Sequence, residues 1–198
     1  MRRSFVLGAV WVACCVLCAQ GAAGAEGEEA KLESPADMIR TQDPPKVVPR
    51  VLEQANPENT SVVVSIPRQR AYLFVGSEAA IDAPVSTGKR RGQTPAGRYT
   101  ITKKSATYAS SRHGDFIDNA GHVVRSGIST RIDAAPSGTV FRPDPVQYHM
   151  ALGDEGLALH AGRLPGYPAS DTSVRLPVDI APLIFQRVRE GTPVKIEE

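Results

Sequence analysis

Cysteine is confined to one short part of this 198-residue chain. The three cysteines are Cys14, Cys15 and Cys18. Around them, a basic start at residues 1–3, an apolar run at 5–19 and the small residues 23–25 follow the order typical of a secretory signal peptide. We therefore expect residues 1–25 to be a signal peptide and the mature protein to lack cysteine. Such a protein has no disulfide, no thiolate metal site and no thiol nucleophile.

Long hydrophobic runs are also scarce. The run at 5–19 is shorter than the roughly 20 residues that a transmembrane helix needs, which disfavours the alternative of an uncleaved membrane anchor. A lipoprotein leader is a second alternative, but no cysteine follows the Leu-small-small pattern that lipid attachment usually requires. We predict an exported protein of the periplasm or cell envelope, without membrane contact after leader cleavage.

Net charge and aromatic content are both low, at +2 and 6%. Nucleic-acid-binding proteins carry a basic patch or stripe, and this sequence has no basic helix, no zinc-knuckle spacing and no basic patch interleaved with aromatic residues. It also lacks a glycine-rich phosphate loop in a strand-to-helix context and metal-ligand spacing around its four histidines. We therefore expect no nucleic-acid partner, no metal site and no cofactor.

The distribution of proline separates a linker from a domain. Residues 26–58 combine a glutamate cluster with five prolines and predict a linker, with a short helix possible at 35–40 or at 47–55, the latter packing on the domain. From residue 61 onwards, short runs of β-branched and apolar residues predict strands. These strands are predicted at 61–66, 70–75, 80–86, 98–103, 148–152, 156–160 and 192–196.

Two further segments have a distinct pattern. Residues 105–147 contain four glycines and three prolines and predict a loop-rich excursion with short strands such as 122–125. Residues 179–190 have apolar residues at helical spacing, and Gly191 is a stop signal. Many short strands with one helix in the C-terminal half indicate a mainly β, sandwich-like domain.

Several short motifs occur in a single order along this domain. They are Val85-Ser-Thr-Gly-Lys89, Thr94-Pro-Ala-Gly97, Ala135-Pro-Ser-Gly-Thr139, Leu159-His-Ala-Gly162, Val174-Arg-Leu-Pro177 and Gly191-Thr-Pro-Val194. Together they resemble the L,D-transpeptidase catalytic domain of the YkuD type. The resemblance implies a β-sandwich over residues 59–198 with a groove for peptidoglycan stem peptides. In this family a Cys–His pair cuts the bond between an L- and a D-centre and passes the acyl group to an amine.

The resemblance also indicates where the reactive groups lie. The family segment ends Ser-His-Gly-Cys-x-Arg-Leu, whereas residues 170–176 read Ser-Asp-Thr-Ser-Val-Arg-Leu. His160 therefore corresponds to the general base, and Ser173 stands at the nucleophile position. A serine hydroxyl reacts only when a base removes its proton during attack. Ser173 is either a replacement nucleophile or a small polar residue in a site that no longer needs a thiol.

Asp171 and Thr172 replace the His and Gly of the family segment. If the segment is strand-like, Asp171 and Ser173 point to the same side, and a Ser173–His160–Asp171 set is one possibility. A turn-capping carboxylate is the alternative. If the family glycine needs a positive φ, Thr172 disturbs the oxyanion hole.

The remaining candidates are substrate-binding residues that the resemblance implies. They are Tyr148, His149, Gly162, Ser170 and Arg175. Arg175 either supports the loop, meets a substrate carboxylate or forms a structural salt bridge. Tyr148 and His149 are groove-wall residues in the family pattern, and the alternative places them in the core and at the rim.

Three functions are consistent with this pattern. The first is an exported L,D-transpeptidase-family protein that acts on or binds peptidoglycan stem peptides, weak or inactive because Ser173 replaces the thiol. The second is a non-catalytic peptidoglycan-binding or regulatory module on the same fold. The third is a structural β domain that binds another envelope protein.

Overall fold

The computed structural model describes residues 42–153 and 156–198. The predicted signal peptide and the possible helix at 35–40 lie outside these residues. Within them, no helix is long and apolar enough to cross a bilayer.

The described chain forms short strands with two brief helices. The elements are β1 (Lys46–Val47), α1 (Pro49–Leu52), β2 (Thr60–Ser65), β3 (Arg70–Val75), β4 (Glu78–Pro84), β5 (Gly97–Thr100), β6 (Lys103–Ile117), β7 (Val123–Ser129), β8 (Val140–Ala151), β9 (Ala158–Ala161), β10 (Val174–Leu176), α2 (Ala181–Arg187) and β11 (Pro193–Glu197). They build a six-stranded sheet, β1-β4-β3-β2-β11-β5, and a five-stranded sheet, β10-β9-β8-β6-β7. Buried side chains of both sheets share one hydrophobic cluster. The predicted mainly β sandwich is confirmed.

Alternation along β2 and β3 explains the first sheet. Val62 and Val64 are buried on one face of β2, and Val62 lies opposite the buried Leu73 of β3. Burial of β-branched residues on one face of a pleated strand is the pattern that the sequence predicts here. The last strand, β11, runs parallel to β2 and antiparallel to β5.

Part of the predicted linker packs on this sheet. β1 pairs with β4, and the backbone N–H of Val48 donates to the carbonyl of Ala80 at 2.8 Å. α1 lies within the short helix predicted at 47–55, begins at a proline, and buries Val51 and Leu52 in the core. Proline suits a first helical turn because its missing N–H has no partner there in any case.

The predicted C-terminal helix is present but shorter than 179–190. Val188 has extended backbone angles, φ −110° and ψ 158°, which ends α2. The ammonium group of Lys104 donates to the carbonyls of Phe185 (2.6 Å) and Val188 and lies 4.4 Å from the Phe185 ring centroid. A cation at this position stabilises the helix C-terminus, where carbonyls lack intrahelical partners.

The prediction of a loop-rich excursion at 105–147 is wrong except for its short strand at 122–125, most of which belongs to β7. β6, 15 residues long, and β8, 12 residues long, form an extended antiparallel pair, and β7 adds to the other side of β6. Gly114 serves close strand approach, because a Cβ there would lie 2.1 Å from the carbonyl oxygen of Arg142. Pro143 and Pro145 lie where β8 pairs with β6 but no longer with β9, so their missing N–H groups are tolerated.

Gly114→Ala is expected to lower the free energy of unfolding by about 2–3 kcal/mol, because the added methyl group forces β6 and β8 apart. Urea unfolding measures this loss. Gly121→Ala is the matched control, since Gly121 has φ +87° and open space around it; it should cost about 1–2 kcal/mol from backbone strain. Equal losses in both variants would show that the close approach at Gly114 is unimportant.

Candidate active site

A cavity of about 410 Å³ opens on the second sheet. Its walls come from β6, β8 and β9 and from the segment that leads into β10. The lining side chains that could react or bind a charged ligand include His149, His160, Ser170, Asp171, Ser173 and Arg175. The cavity therefore gathers most of the residues that the sequence singles out, although the chain places them on several separate elements.

Two strands and one loop position the reactive residues. β9 and β10 are parallel neighbours in which Arg175 lies opposite His160, and Ser173 directly precedes β10. The N–H groups of Ser86 and Arg175 each donate to the other's carbonyl, at 3.1 and 3.0 Å. Because β9 and Ser86 hold β10 from both sides, the chain has little freedom where Ser173 enters the cavity.

Ser173 and His160 form a hydrogen-bonded pair. The Nε2 of His160 lies 2.8 Å from the Ser173 Oγ, and its Nδ1 lies 2.7 Å from the carbonyl oxygen of Ala161. A carbonyl can only accept, so the neutral ring carries its proton on Nδ1 and offers the Nε2 lone pair to the Ser173 hydroxyl. This tautomer is the one a general base needs.

The surroundings of His160 keep the ring neutral. Burial lowers its pKa below 6.5, the Ala161 carbonyl opposes this, and the nearby Arg175 and His113 lower it further. A neutral imidazole can take a proton at physiological pH. The imidazolium that would form, however, has a backbone carbonyl as its partner and not a carboxylate.

Ser170 adds a second hydroxyl to the pair. Its Oγ lies 2.9 Å from the Ser173 Oγ, and the residue is 2% exposed. The N–H of Ser170 donates to the carbonyl of Thr87 at 2.9 Å, and its own carbonyl accepts from the N–H of Lys89 at 2.8 Å. The predicted site residue Ser170 thus lies against Ser173, deep in the cavity.

Asp171 is not a partner of His160. Its carboxylate contacts the Lys89 ammonium group at 2.7 Å and the His113 Nε2 at 3.0 Å. The hydrogen bond and charge of Lys89, with His113 and Arg175 nearby, lower the pKa of Asp171, which keeps it ionised. The Ser173–His160–Asp171 set is therefore not formed, because residues 171–173 are a bend and not a strand. Asp171 instead links Lys89, which follows β4, to His113 of β6.

Thr172 fits its position without backbone strain. Among the described non-glycine residues, positive φ angles occur only at Gln69 and Tyr148, so Thr172 is not left-handed. Its carbonyl accepts a hydrogen bond from the Thr94 hydroxyl at 2.7 Å, and that hydroxyl accepts from the N–H of Gly88 at 2.8 Å. The expected backbone conflict from threonine in place of glycine is absent.

Hydrogen bonds from two other segments support this loop, and the sequence pattern does not predict them. The Gln69 side chain donates to the Thr87 hydroxyl at 2.7 Å and accepts from the Thr87 N–H at 3.1 Å. Thr87 and Thr94 belong to two of the motifs that carried the family resemblance, and that resemblance was the available signal. Spacing alone could not show that they brace a segment about 80 residues away.

Of the two predicted aromatic wall residues, only His149 lines the cavity. It stacks on Tyr108 with ring centroids 4.2 Å apart. Tyr148 lies on the opposite side of β8, where it packs on the core and meets the Phe185 ring edge-on at 5.6 Å. Tyr148 therefore has the core position that the alternative expects, because neighbouring strand residues face opposite ways.

The protein is expected to lose stability as the pH is lowered, because His149 takes up a proton less readily in the folded state than in the unfolded chain. Burial, His160 and Lys103 lower the pKa of His149 from 6.5 to about 4. The unfolded chain therefore binds this proton before the native protein does, and stability is lost as pH falls from 6.5 towards 4. Because the ring is only half-buried, we expect about 1–2 kcal/mol. Urea unfolding at pH 7 and pH 4.5 should show a smaller loss for His149→Phe than for the wild type.

Arg175 places a half-buried guanidinium in the cavity wall. Burial lowers its pKa, Asp171 opposes this, and no carboxylate of the described residues lies within ion-pair distance. Gly162 makes room for its stem, since a Cβ there would lie 3.1 Å from the Arg175 Cγ. The predicted site residue Gly162 therefore acts from behind Arg175, outside the cavity lining. A structural salt bridge for Arg175 is not found.

Within the described residues, no group of three or more His, Cys, Asp or Glu side chains could hold a metal ion. The cavity brings together a hydroxyl, a neutral imidazole and a guanidinium. This combination suits attack on a carbonyl carbon of a ligand that also carries an anionic group.

Comparison with known proteins gives one consistent result. The family model for the L,D-transpeptidase catalytic domain (YkuD) matches residues 59–196. An L,D-transpeptidase from Mycobacterium smegmatis has a TM-score of 0.54 at 17% identity, covering 71% of this chain and 59% of its own. An L,D-transpeptidase (Yku) from Stackebrandtia nassauensis has a TM-score of 0.51 at 14% identity, with 83% and 64% covered.

A third structure is L,D-transpeptidase 3 from Mycobacterium tuberculosis in complex with a faropenem-derived adduct. It has a TM-score of 0.50 at 19% identity, with 71% of this chain and 60% of its own covered. At these identities the likeness establishes a shared fold. The chain spans 59–64% of the length of these three structures. No curated protein matches the sequence.

Proposed function

Because this chain belongs to the L,D-transpeptidase catalytic-domain family, we propose that it is an exported protein that binds peptidoglycan stem peptides in the cavity around Ser173. We further propose that Ser173 occupies the position of the family's nucleophilic cysteine and forms an acyl ester slowly. The observation that carries the proposal is the 2.8 Å contact between the Ser173 hydroxyl and the His160 Nε2, on a ring whose tautomer suits a base.

The reaction follows from this pair. The Ser173 oxygen attacks the peptide carbonyl carbon while its proton passes to the His160 Nε2, and the carbonyl π pair moves onto oxygen. When the tetrahedral species collapses, the C–N bond breaks and the leaving amine takes the proton from His160. An incoming amine or water then attacks the ester, with His160 acting again as the base.

The same electrostatics predict a low rate. The imidazolium that forms during attack has the Ala161 carbonyl as its partner, and the positive charge of Arg175 opposes it. A carboxylate partner would stabilise that cation. A thiol loses its proton far more readily and depends less on this assistance. The site is therefore better suited to a sulfur nucleophile than to the hydroxyl that it contains.

Arg175 is the residue whose surroundings support peptide binding. Its half-buried guanidinium has no carboxylate partner in the described chain and lies two residues from Ser173. Stem peptides carry free carboxylates, and Arg binds carboxylates with two parallel hydrogen bonds. We propose that Arg175 holds such a carboxylate beside the reacting carbonyl.

Arg175→Met is expected to weaken binding of a stem tetrapeptide by about 10- to 100-fold, because a hydrogen-bonded charge pair is lost. Calorimetric titration in a Ser173→Ala background measures binding without turnover. Arg91→Met is the matched control, since Arg91 is an exposed arginine on a neighbouring loop outside the cavity lining. Equal weakening by both variants would indicate a general effect of charge and would contradict a specific carboxylate contact.

Incubation of the protein with tetrapeptide-bearing muropeptides tests the chemistry. Mass spectrometry should find an acyl group on Ser173 and none in Ser173→Ala. If peptide binds but neither adduct nor product forms, the serine chemistry is refuted.

Export is tested separately: protein recovered from the cell envelope should begin at Glu26 on N-terminal sequencing, and an intact leader would refute cleavage.

A second candidate is a non-catalytic module that binds stem peptides or regulates another envelope protein. It is favoured by the weak support for an imidazolium at His160, which makes the hydroxyl a poor nucleophile. This module would pellet with sacculi in a saturable manner, and His160→Ala would change that binding little. Retained binding with no adduct in any assay would select this candidate over the first.

A further inference from the structure

We propose that Ser170 is a second hydroxyl of the reaction centre, which donates a hydrogen bond to the Ser173 oxygen and raises the reactivity of a hydroxyl at this position. The inference rests on the proposed serine chemistry and adds a residue to it. Ser170 would thus act on the attacking oxygen, whereas the family resemblance implies contact with substrate.

The direction of the hydrogen bond follows from counting protons. The Ala161 carbonyl holds the proton of His160 on Nδ1, so the Nε2 must accept, and the one proton of the Ser173 hydroxyl is used for it. The contact of 2.9 Å between the Ser170 and Ser173 oxygens then needs the Ser170 proton. Ser170 is therefore the donor and the Ser173 oxygen the acceptor.

The position of this donor is fixed before substrate binds. Ser170 is 2% exposed, and hydrogen bonds to Thr87 and Lys89 hold its backbone on both sides. Among the described residues, its hydroxyl has no hydrogen-bond partner other than Ser173. A donor that is already oriented costs no reorganisation when charge develops on the acceptor.

The chemical effect arises because the Ser173 oxygen gains negative charge as its proton moves to His160. One lone pair of this oxygen forms the new bond to carbon, and the other accepts from Ser170. The Ser170 proton is not transferred and no bond to Ser170 forms. Since the bond is stronger to a charged acceptor than to a neutral hydroxyl, it stabilises the transition state more than the ground state.

Loss of the Ser170 hydroxyl is expected to affect a serine and a cysteine at position 173 differently. A cysteine at 173 ionises without such help, and its diffuse thiolate charge gains less from one hydroxyl donor. Removal of the Ser170 hydroxyl should therefore slow a serine at 173 and leave a cysteine there almost unaffected. A role in folding alone would affect both equally.

The test uses the full chain and a fluorophosphonate probe. The Ser173 oxygen forms a bond to phosphorus while its proton passes to the His160 Nε2, and the P–F bond breaks as fluoride leaves. Ser170→Ala is expected to slow this labelling by about 10- to 100-fold. In a Ser173→Cys background, alkylation by iodoacetamide should be unchanged by Ser170→Ala. Thermal unfolding midpoints of all variants report whether each one folds.

Ser65→Ala is the matched control, because Ser65 is another buried serine, lies in β2 and is outside the cavity lining. It should leave labelling of Ser173 unchanged. Equal slowing in the serine and cysteine backgrounds, or faster labelling of Ser170→Ala, would overturn the role of Ser170 and leave the proposed function intact. Absence of labelling in the wild type, with the cysteine variant alkylated, would instead overturn the proposed serine chemistry.

Discussion

Ser173→Cys is expected to raise the rate of acylation by a tetrapeptide-bearing muropeptide by about 10²-fold or more, because a thiolate avoids the dependence on concerted proton removal that contributes about 10²–10⁴-fold in hydroxyl chemistry. Time-resolved intact-protein mass spectrometry measures the rate. The contact of Ser173 with the His160 Nε2 places the new sulfur beside its base.

Two comparisons make this result specific. Ser173→Ala should give no adduct, which assigns the reaction to residue 173. The triple variant Asp171→His, Thr172→Gly, Ser173→Cys should gain little over the single change, because Thr172 has no left-handed strain to relieve and Asp171 does not contact His160. A cysteine variant no faster than the wild type would mean that the cavity does not admit the ligand.

His160→Gln is expected to slow acylation of Ser173 by about 10²–10⁴-fold, because the hydroxyl loses its general base. Acylation by a tetrapeptide-bearing muropeptide, followed by mass spectrometry, reports the rate, and titration with a stem tetrapeptide reports binding. Binding should persist, since the proposed carboxylate contact at Arg175 is unaltered. Glutamine approximates the size of the ring and limits the effect on packing.

His113→Gln is the control for this variant. His113 also lines the cavity, but its ring contacts Asp171 at 3.0 Å, and Ser173 is not among its partners. Its loss should leave the rate within the same order of magnitude. If the two histidine variants were equally slow, the effect would come from the shape or charge of the cavity, and the assignment of His160 as the base would fail.

The local sequence pattern predicted much of the fold. β3 has the predicted bounds and β2 lies within one residue of them, because alternating apolar residues depend on a period of two that is visible in the chain. The helix before Gly191 follows from a period of 3.6 in the same way. The β6–β8 pair was not predicted, because Gly114 and two prolines are residue types typical of loops. Their place in strands depends on partners about 30 residues away in the chain.

The site divides in a similar way. Order of motifs along the chain predicted His160, Ser170, Ser173 and Arg175, and the cavity contains all four. The contacts of individual atoms could not be predicted from the sequence. The Asp171 carboxylate contacts Lys89 and His113, and the His160 Nδ1 contacts a backbone carbonyl. Side-chain direction also decided between Tyr148 and His149, which are adjacent in sequence and face opposite sides of β8.

The amino-acid sequence by itself determined the family, the mainly β architecture and the confinement of cysteine to the first 18 residues. These properties depend on residue identity and short-range periodicity, which need no knowledge of distant partners. Only the tertiary structure decided which groups surround the Ser173 hydroxyl, because parallel pairing of β9 with β10 and the bridge to Ser86 bring together residues from separate parts of the chain. Hydrogen-bond direction and ring tautomer at His160 follow from those contacts, and the reactivity of the site depends on them.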